Sequence, residues 1–233
     1  MIRNYCCFLL PLLFFCLSSC NKLDKPTDYR EYSYNFNFGT QGWDSLFSDY
    51  PKGEESFYEL EFSFTHLPEP LDTTIKAIKI SGNNHSDDLL SFITTRISLL
   101  IPNAVYEVTF DITMASNVAT NSTGIGGSPD LAIGVGGLGY EPANILDEAN
   151  FYRTNFISLL QSKESNNVMQ MIGTIGVQDT ITTYTLINRN NTDNPVRLKT
   201  NENGELWLLI GTDSGFEGIT SLYFTSIHVK LNY

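Results

Sequence analysis

The stretch Gly204–Leu231, GELWLLIGTDSGFEGITSLYFTSIHVKL, decides the fold. Leu206-Trp207-Leu208-Leu209-Ile210 is apolar on both alternating faces, the mark of a strand covered on two sides. From Tyr223 the chain alternates instead: Tyr223, Thr225, Ile227, Val229 and Leu231 on one face, Phe224, Ser226, His228 and Lys230 on the other. That pattern predicts a strand with a single buried face. Between the two lies GTDSGFEG (211–218), read as a tight acidic loop whose Gly211, Gly215 and Gly218 supply positive φ angles. Two such strands need partners, and the chain upstream supplies them.

Tyr32, Tyr34, Phe36 and Phe38 alternate with polar residues and predict a first strand, expected to lie beside the last. Tyr58, Leu60, Phe62 and Phe64 give a second strand, Thr74–Ser81 a third, and Leu89–Ile93 another after the polar turn GNNHSDD (82–88). The clearest alternation is Tyr106, Val108, Phe110, Ile112 and Met114. Leu131–Val135, Met169–Val177, Thr182–Ile187 and Val196–Lys199 read as further strands, and Ile145–Tyr152 as one or two helical turns. Many short strands separated by turn residues, without a convincing long helix or an internal repeat, predict an all-β, two-sheet β-sandwich with long loops.

The first residues read as a targeting segment outside this fold. Arg3 is followed by an apolar run, Cys6–Leu17, too short to cross a bilayer, then by Leu17-Ser18-Ser19-Cys20. This order resembles the lipobox of bacterial lipoproteins, which implies a signal peptide over 1–19, lipidation of Cys20, a membrane partner through that lipid, and a place in the cell envelope at the outer membrane. Residues 20–30 are then a polar tether and 31–233 a single domain. Cys6, Cys7 and Cys16 leave with the signal, so the domain has no thiol for a disulfide or a thiolate metal site. No later segment is long and apolar enough to be a membrane-spanning helix. The chain carries 14 Lys and Arg against 26 Asp and Glu; without Arg3 the balance is 13 against 26, or −13. An acidic surface of that size excludes nucleic acid as a partner.

YNFNFGTQGW (34–43) with FSDYP (47–51), taken with the closing Gly204–Leu231, resembles secreted bacterial jelly-roll domains of the galactose-binding-like and carbohydrate-binding-module type. GIGGSPD (124–130) and GTDSGFEG resemble segments of a group of exported bacterial proteins. The resemblance implies a jelly roll more than it implies a ligand.

Saccharide recognition needs an aromatic platform beside groups that bind hydroxyls. Trp43, Phe47 and Tyr50 with Asp44 and Asp49 form one candidate, and Phe216 beside Asp213 and Glu217 another; the same aromatics would also serve to cap the open end of a sandwich. Calcium takes carboxylate oxygens from loops, and Asp87, Asp88, Asp213 and Glu217 are the candidate ligands of a structural ion. The remaining motifs fail on chemistry. Gly134–Gly139 spells G-x-G-x-x-G, but Tyr140-Glu141-Pro142 follows where a phosphate-binding helix would have to start. Asp213-Ser214-Gly215 is followed by Phe216 rather than the glycine of trypsin-like proteases, and His66, His85 and His228 stand apart from one another. The expectation is a non-catalytic, lipid-anchored binding or accessory protein with a saccharide ligand. The alternatives are a structural lipoprotein that meets an envelope protein partner, and a glycoside-active enzyme with two carboxyls across a deep cleft.

Overall fold

A computed structural model describes residues 28–178 and 180–233; the leader and Cys20 lie outside the described residues. The centre of the first sheet is β6 (Val105–Ser116), whose Tyr106, Val108, Phe110, Ile112 and Met114 are all fully buried. The centre of the second is β13 (Leu206–Ser214), the doubly apolar run. Leu206, Leu208 and Ile210 face the main core with β6, while Leu209 belongs to a separate cluster on the sheet's other side.

The remaining strands are β1 (Tyr29–Asn35), β2 (Asp44–Ser48), β3 (Glu61–His66), β4 (Lys76–Asn83), β5 (Leu89–Ile97), β7 (Ala132–Leu138), β8 (Asn144–Leu146), β9 (Tyr152–Thr154), β10 (Met169–Thr174), β11 (Thr185–Asn190), β12 (Val196–Lys199) and β14 (Ile219–Asn232). One sheet runs β11-β6-β14-β4-β3, with β1 also on β14 and β12 also on β6; the other runs β10-β7-β13-β5-β2. All pairings in both sheets are antiparallel. Within them β4-β14-β6-β11 faces β5-β13-β7-β10, and the chain crosses between sheets at β4–β5, β5–β6, β6–β7, β10–β11, β11–β13 and β13–β14. That is the eight-stranded jelly roll, built of two Greek keys. The expected neighbourhood of first and last strands is present, with Tyr32 opposite Val229 and Tyr34 opposite Ile227.

Four local readings are corrected. The alternation of β14 is broken by a bulge between Phe224 and Ser226, so Leu222 and Phe224 share the core face with Ile227, Val229 and Leu231. Tyr223 lies on the opposite face, edge-on to Tyr184 with ring centroids 5.2 Å apart. The first strand begins at Tyr29, two residues before the expected boundary, and stops at Asn35, whose side chain accepts from Asn37 N–H and starts a 3-10 turn. Phe36 is thereby buried and Phe38 left 80% exposed. The expected helical turns at Ile145–Tyr152 are instead the β8–β9 hairpin, because the Asp147 carboxylate accepts from the Ala149 and Phe151 backbone N–H groups, both at 2.9 Å, and closes a turn. Finally, Gly211, Gly215 and Gly218 have no positive φ. Gly211 lies within β13, where a Cβ would run into Phe92 and the Ser91 carbonyl, and Gly218 leaves room for the Phe216 ring.

The two tryptophans differ in burial: Trp43 takes the capping alternative, and Trp207 is not the core residue its apolar run suggests. Trp43 is 2% exposed in the main core, edge-on to Tyr34 at 5.4 Å and to Phe36 at 6.3 Å. Trp207 is only half-buried, on the outer face of the second sheet. Trp43→Ala is therefore expected to cost about 3–5 kcal/mol, as truncation of a large core aromatic does. Trp207→Ala is expected to cost about 1 kcal/mol. Urea unfolding of the two variants, compared at constant m-value, checks the order; equal losses would contradict it.

Candidate functional site

The outer face of the second sheet is partly closed by the chain between β9 and β10. Phe156 and Leu160 lie on Leu90, Phe92, Ala132, Leu138 and Leu209. Glycines of β7 make the approach possible. A Cβ at Gly134 would stand 2.6 Å from Leu160 Cδ2, and one at Gly136 would collide with the Val168 carbonyl. The G-x-G-x-x-G spacing thus serves close packing of chain on sheet. A hollow lies at each end of β13.

The first hollow, of about 260 Å³, is lined by Trp207 with Arg96, Thr94, Asp44, Glu141 and Pro142. Trp207 pairs with Arg96 across β13 and β5, and Asp44 of β2 pairs with Thr94. The Arg96 guanidinium carbon lies 5.9 Å from the Trp207 ring centroid, and Arg96 Nη1 donates to Glu205 Oε1 at 3.2 Å. Asp44 and Glu141 are exposed at the rim, and the buried Thr94 Oγ1 has no hydrogen-bond partner. An apolar ring face edged by carboxylate acceptors, a guanidinium donor and a hydroxyl can stack on the C–H face of a cyclic polyol while bonding its hydroxyls.

The second hollow, at the other end of β13, measures about 310 Å³ and has Asp213 in its lining, with Asp87, Asp130, Gln161, Lys163 and Phe216. Asp213 is 6% exposed and its Oδ1 has no partner.

The residues expected from sequence divide among different tasks. Of the first aromatic group only Asp44 reaches the Trp207 hollow, because Asp44–Ser48 is an edge strand and not a loop. Trp43 is core; Tyr50 packs on Tyr58 and Tyr152 at 5.7 and 5.3 Å, and Phe47 is partly buried against the same cluster. These aromatics cap the sandwich. Phe216 is half-buried against the main core between Gly124 and Gly218, so it caps as well as lining the second hollow. Asp49 and Asp88 turn to Arg153, and Glu217 is exposed outside the second hollow. Asp87, Asp88, Asp213 and Glu217 therefore do not converge. Among the described residues no three His, Cys, Asp or Glu side chains stand close enough to hold a metal ion. Trp207 and Arg96 were missed as site residues: inside an apolar run a tryptophan reads as core, and only the limit of the Phe156–Leu160 cover reveals it.

No protein-family model and no curated protein matches this sequence. Similar solved structures include carbohydrate-binding modules from the β-sandwich superfamily, at 11% identity and a TM-score of 0.42, covering 82% of this chain and 58% of that one. The K3 cleaved adhesin domain of Lys-gingipain from Porphyromonas gingivalis matches at 11% identity and 0.43, covering 87% and 99%. A putative sugar binding protein from Bacteroides thetaiotaomicron matches at 11% and 0.41, covering 84% and 91%. At such values the likeness carries nothing about a ligand.

Arg153, on β9, is the hub of the acids beside the second hollow. Its Nη1 reaches Asp49 Oδ1 at 2.6 Å and Asp88 Oδ2 at 3.4 Å, and its Nε reaches Asp147 Oδ2 at 3.1 Å. Burial, then the neighbouring Asp49 and Asp213 charges, push Asp88 up to about 7 against the pull of Arg153. Burial raises Asp213 to about 6, and burial raises Asp49 too, whereas backbone N–H bonds, Phe151 foremost, hold Asp147 below its usual value. A carboxyl whose folded pKa is raised stabilises the fold below its unfolded value, and that contribution is lost as pH rises through the folded value. Between about pH 4 and pH 7 these groups accordingly make stability fall with rising pH. The melting temperature is expected to be higher at pH 5 than at pH 7.5, with Asp88→Asn flattening the slope. Thermal melts at the two pH values check this; a melting temperature that climbs over that interval would refute it.

Proposed function

We propose that the protein is a non-catalytic saccharide-binding protein held in the bacterial cell envelope by lipid on Cys20, with the Trp207 hollow as its sugar site. The observation that carries the reading is the half-buried Trp207 ring lining a hollow together with Asp44, Glu141 and Arg96, the last of which lies over the ring. A glycoside-cleaving site would instead enclose the sugar between two carboxyls in a deep cleft. A surface for a protein partner would be flat and apolar, without converging polar groups. The ring supplies stacking area, Asp44 and Glu141 accept from hydroxyls, and Arg96 donates.

The anchor rests on Leu17-Ser18-Ser19-Cys20, with Cys20 as acyl acceptor and the outer membrane as the proposed location. Strand β1 starts at Tyr29, so a chain of nine residues from Cys20 reaches at most about 30 Å.

A glycan array of the mature chain is expected to retain a defined saccharide class, and Trp207→Ala to weaken that binding by about tenfold or more, roughly the loss of one stacked aromatic. Binding unchanged in Trp207→Ala, or no glycan retained, would overturn the sugar site. Cys20→Ser is expected to abolish lipidation and to release the protein from membranes. Unchanged mass and fractionation in that variant would remove the anchor.

A further inference from the structure

The Asp213 hollow holds a group that the saccharide reading does not use. Its walls are built and satisfied among themselves. The loop at 124–128 is sewn to the loop at 215–217 by Glu217 N–H donating to the Ile125 carbonyl at 2.9 Å. Gly126 sits at φ +73° there, and any Cβ would collide with the Gly215 carbonyl, so the two backbones meet directly. On the other side Gln161 Nε2 donates to the Asp87 carbonyl at 2.8 Å. Asp130 Oδ1 accepts from Gly176 N–H at 2.7 Å, and Ser128 Oγ donates to the Ser122 carbonyl at 2.7 Å. Among the described residues lining this hollow, the one buried side-chain oxygen without a partner is Asp213 Oδ1.

Ser158 and the Gln161 backbone bond the Asp213 carboxyl, yet Oδ1 itself has no partner, and a buried carboxylate oxygen lacking a donor is costly. The groups around it are mostly of the same sign. Asp87 and Asp130 share the lining, with Asp49 behind, and Lys163 is the one basic side chain facing the space. Arg153 is engaged by Asp49, Asp88 and Asp147. The missing partner is therefore a donor, and the local field favours a positive one. A bare metal ion would lack side-chain ligands, since among the described residues no three His, Cys, Asp or Glu side chains converge. A polyatomic cation reaches one carboxylate with its charge and fills the rest of about 310 Å³ with its body.

We infer that this hollow is a second binding site, separate from the Trp207 hollow, for a small ligand that carries a protonated primary amine, with Asp213 receiving the ammonium. Gln161 and Ser128 line the space open to the remainder of such a molecule. Trp207 and Asp213 stand six residues apart along β13, roughly 20 Å, so one monosaccharide-sized molecule does not occupy both. Binding would also draw Asp213 back toward the ordinary carboxylate range, because an ammonium favours its charged form.

The test is a titration of the mature chain at pH 6.5 with D-glucosamine, followed by amide NMR, with D-glucose as the uncharged control. Shift changes are expected at 124–128, 158–163 and 213–217 with glucosamine alone. They should vanish in Asp213→Asn and persist in Trp207→Ala, which separates this site from the sugar site proposed above. In the wild-type chain the side-chain carboxyl carbon of Asp213 should titrate at lower pH with glucosamine present, a readout that holds even if Asp213→Asn fails to fold. Equal changes with glucose, changes that survive Asp213→Asn, or an Asp213 titration that glucosamine does not move would each overturn the inference and leave ordered water as the partner of Oδ1.

Discussion

The extra residue at Thr225 governs how the sandwich closes. Opposite the pair Met114 and Thr113 of β6, strand β14 spends three residues, Phe224 to Ser226. Side chains alternate with period two, so without that bulge every core residue on one side of it would point to solvent. With it, Leu222 and Phe224 lie on the same core as Ile227, Val229 and Leu231. The bulge also divides the strand's other edge. Residues Ile219–Phe224 pair with β4, and Ser226–Asn232 pair with β1. One long strand thus holds β6 from Tyr223 to Asn232 and two different strands on its far side, and Thr225 Oγ1 donates to the Thr113 carbonyl at the junction.

The second sheet solves a different problem. Its central strand is apolar on both faces, yet the jelly roll covers only one of them. The other is covered by chain that is not sheet: Phe156 and Leu160 descend onto β7, where glycines replace side chains. A cover made from one irregular segment is shorter than the strand beneath it. The hollow at Trp207 lies where the cover ends, and the hollow at Asp213 is walled on one side by the cover's own Leu160 and Gln161, so the chemistry of each is set by whichever β13 residue points outward there.

Much of this was legible in the sequence where one face is simply buried and the other simply wet. The run Tyr106–Met114 reads directly as β6, and Leu206–Ile210 as a strand covered twice. What failed were readings that depend on distant chain. Trp207 sits among leucines and reads as core, but the Phe156–Leu160 cover does not extend over it; Trp43 follows a glycine-rich turn and reads equally as platform or cap, and its burial with Tyr34 and Phe36 decides for the cap. The bulge at Thr225 leaves no trace in composition, since threonine and serine suit either face. Asp87, Asp88, Asp213 and Glu217 read as one ligand group, but they serve different tasks. Their pairing was not readable, because Arg153 enters from a hairpin whose own turn depends on Asp147.

The shortage of cations ties composition to site. With 14 Lys and Arg for 26 Asp and Glu, few buried acids can have a basic partner of their own. Arg153 is shared by three carboxylates at 2.6, 3.1 and 3.4 Å, and of these Asp88, the most distant, is the one pushed up to about 7. Asp213 lies beyond that guanidinium's salt bridges and depends on Ser158 and the Gln161 backbone to offset its burial. A domain that only needed a filled core would place a hydrophobic residue at the outward end of a central strand, since replacing a poorly paired buried charge by an apolar side chain is often neutral or stabilising. Keeping a carboxylate there, walled by two loops whose glycines let their backbones touch, is a cost to stability that packing does not explain. That cost is what singles out the Asp213 end of β13 as a place for chemistry rather than for structure.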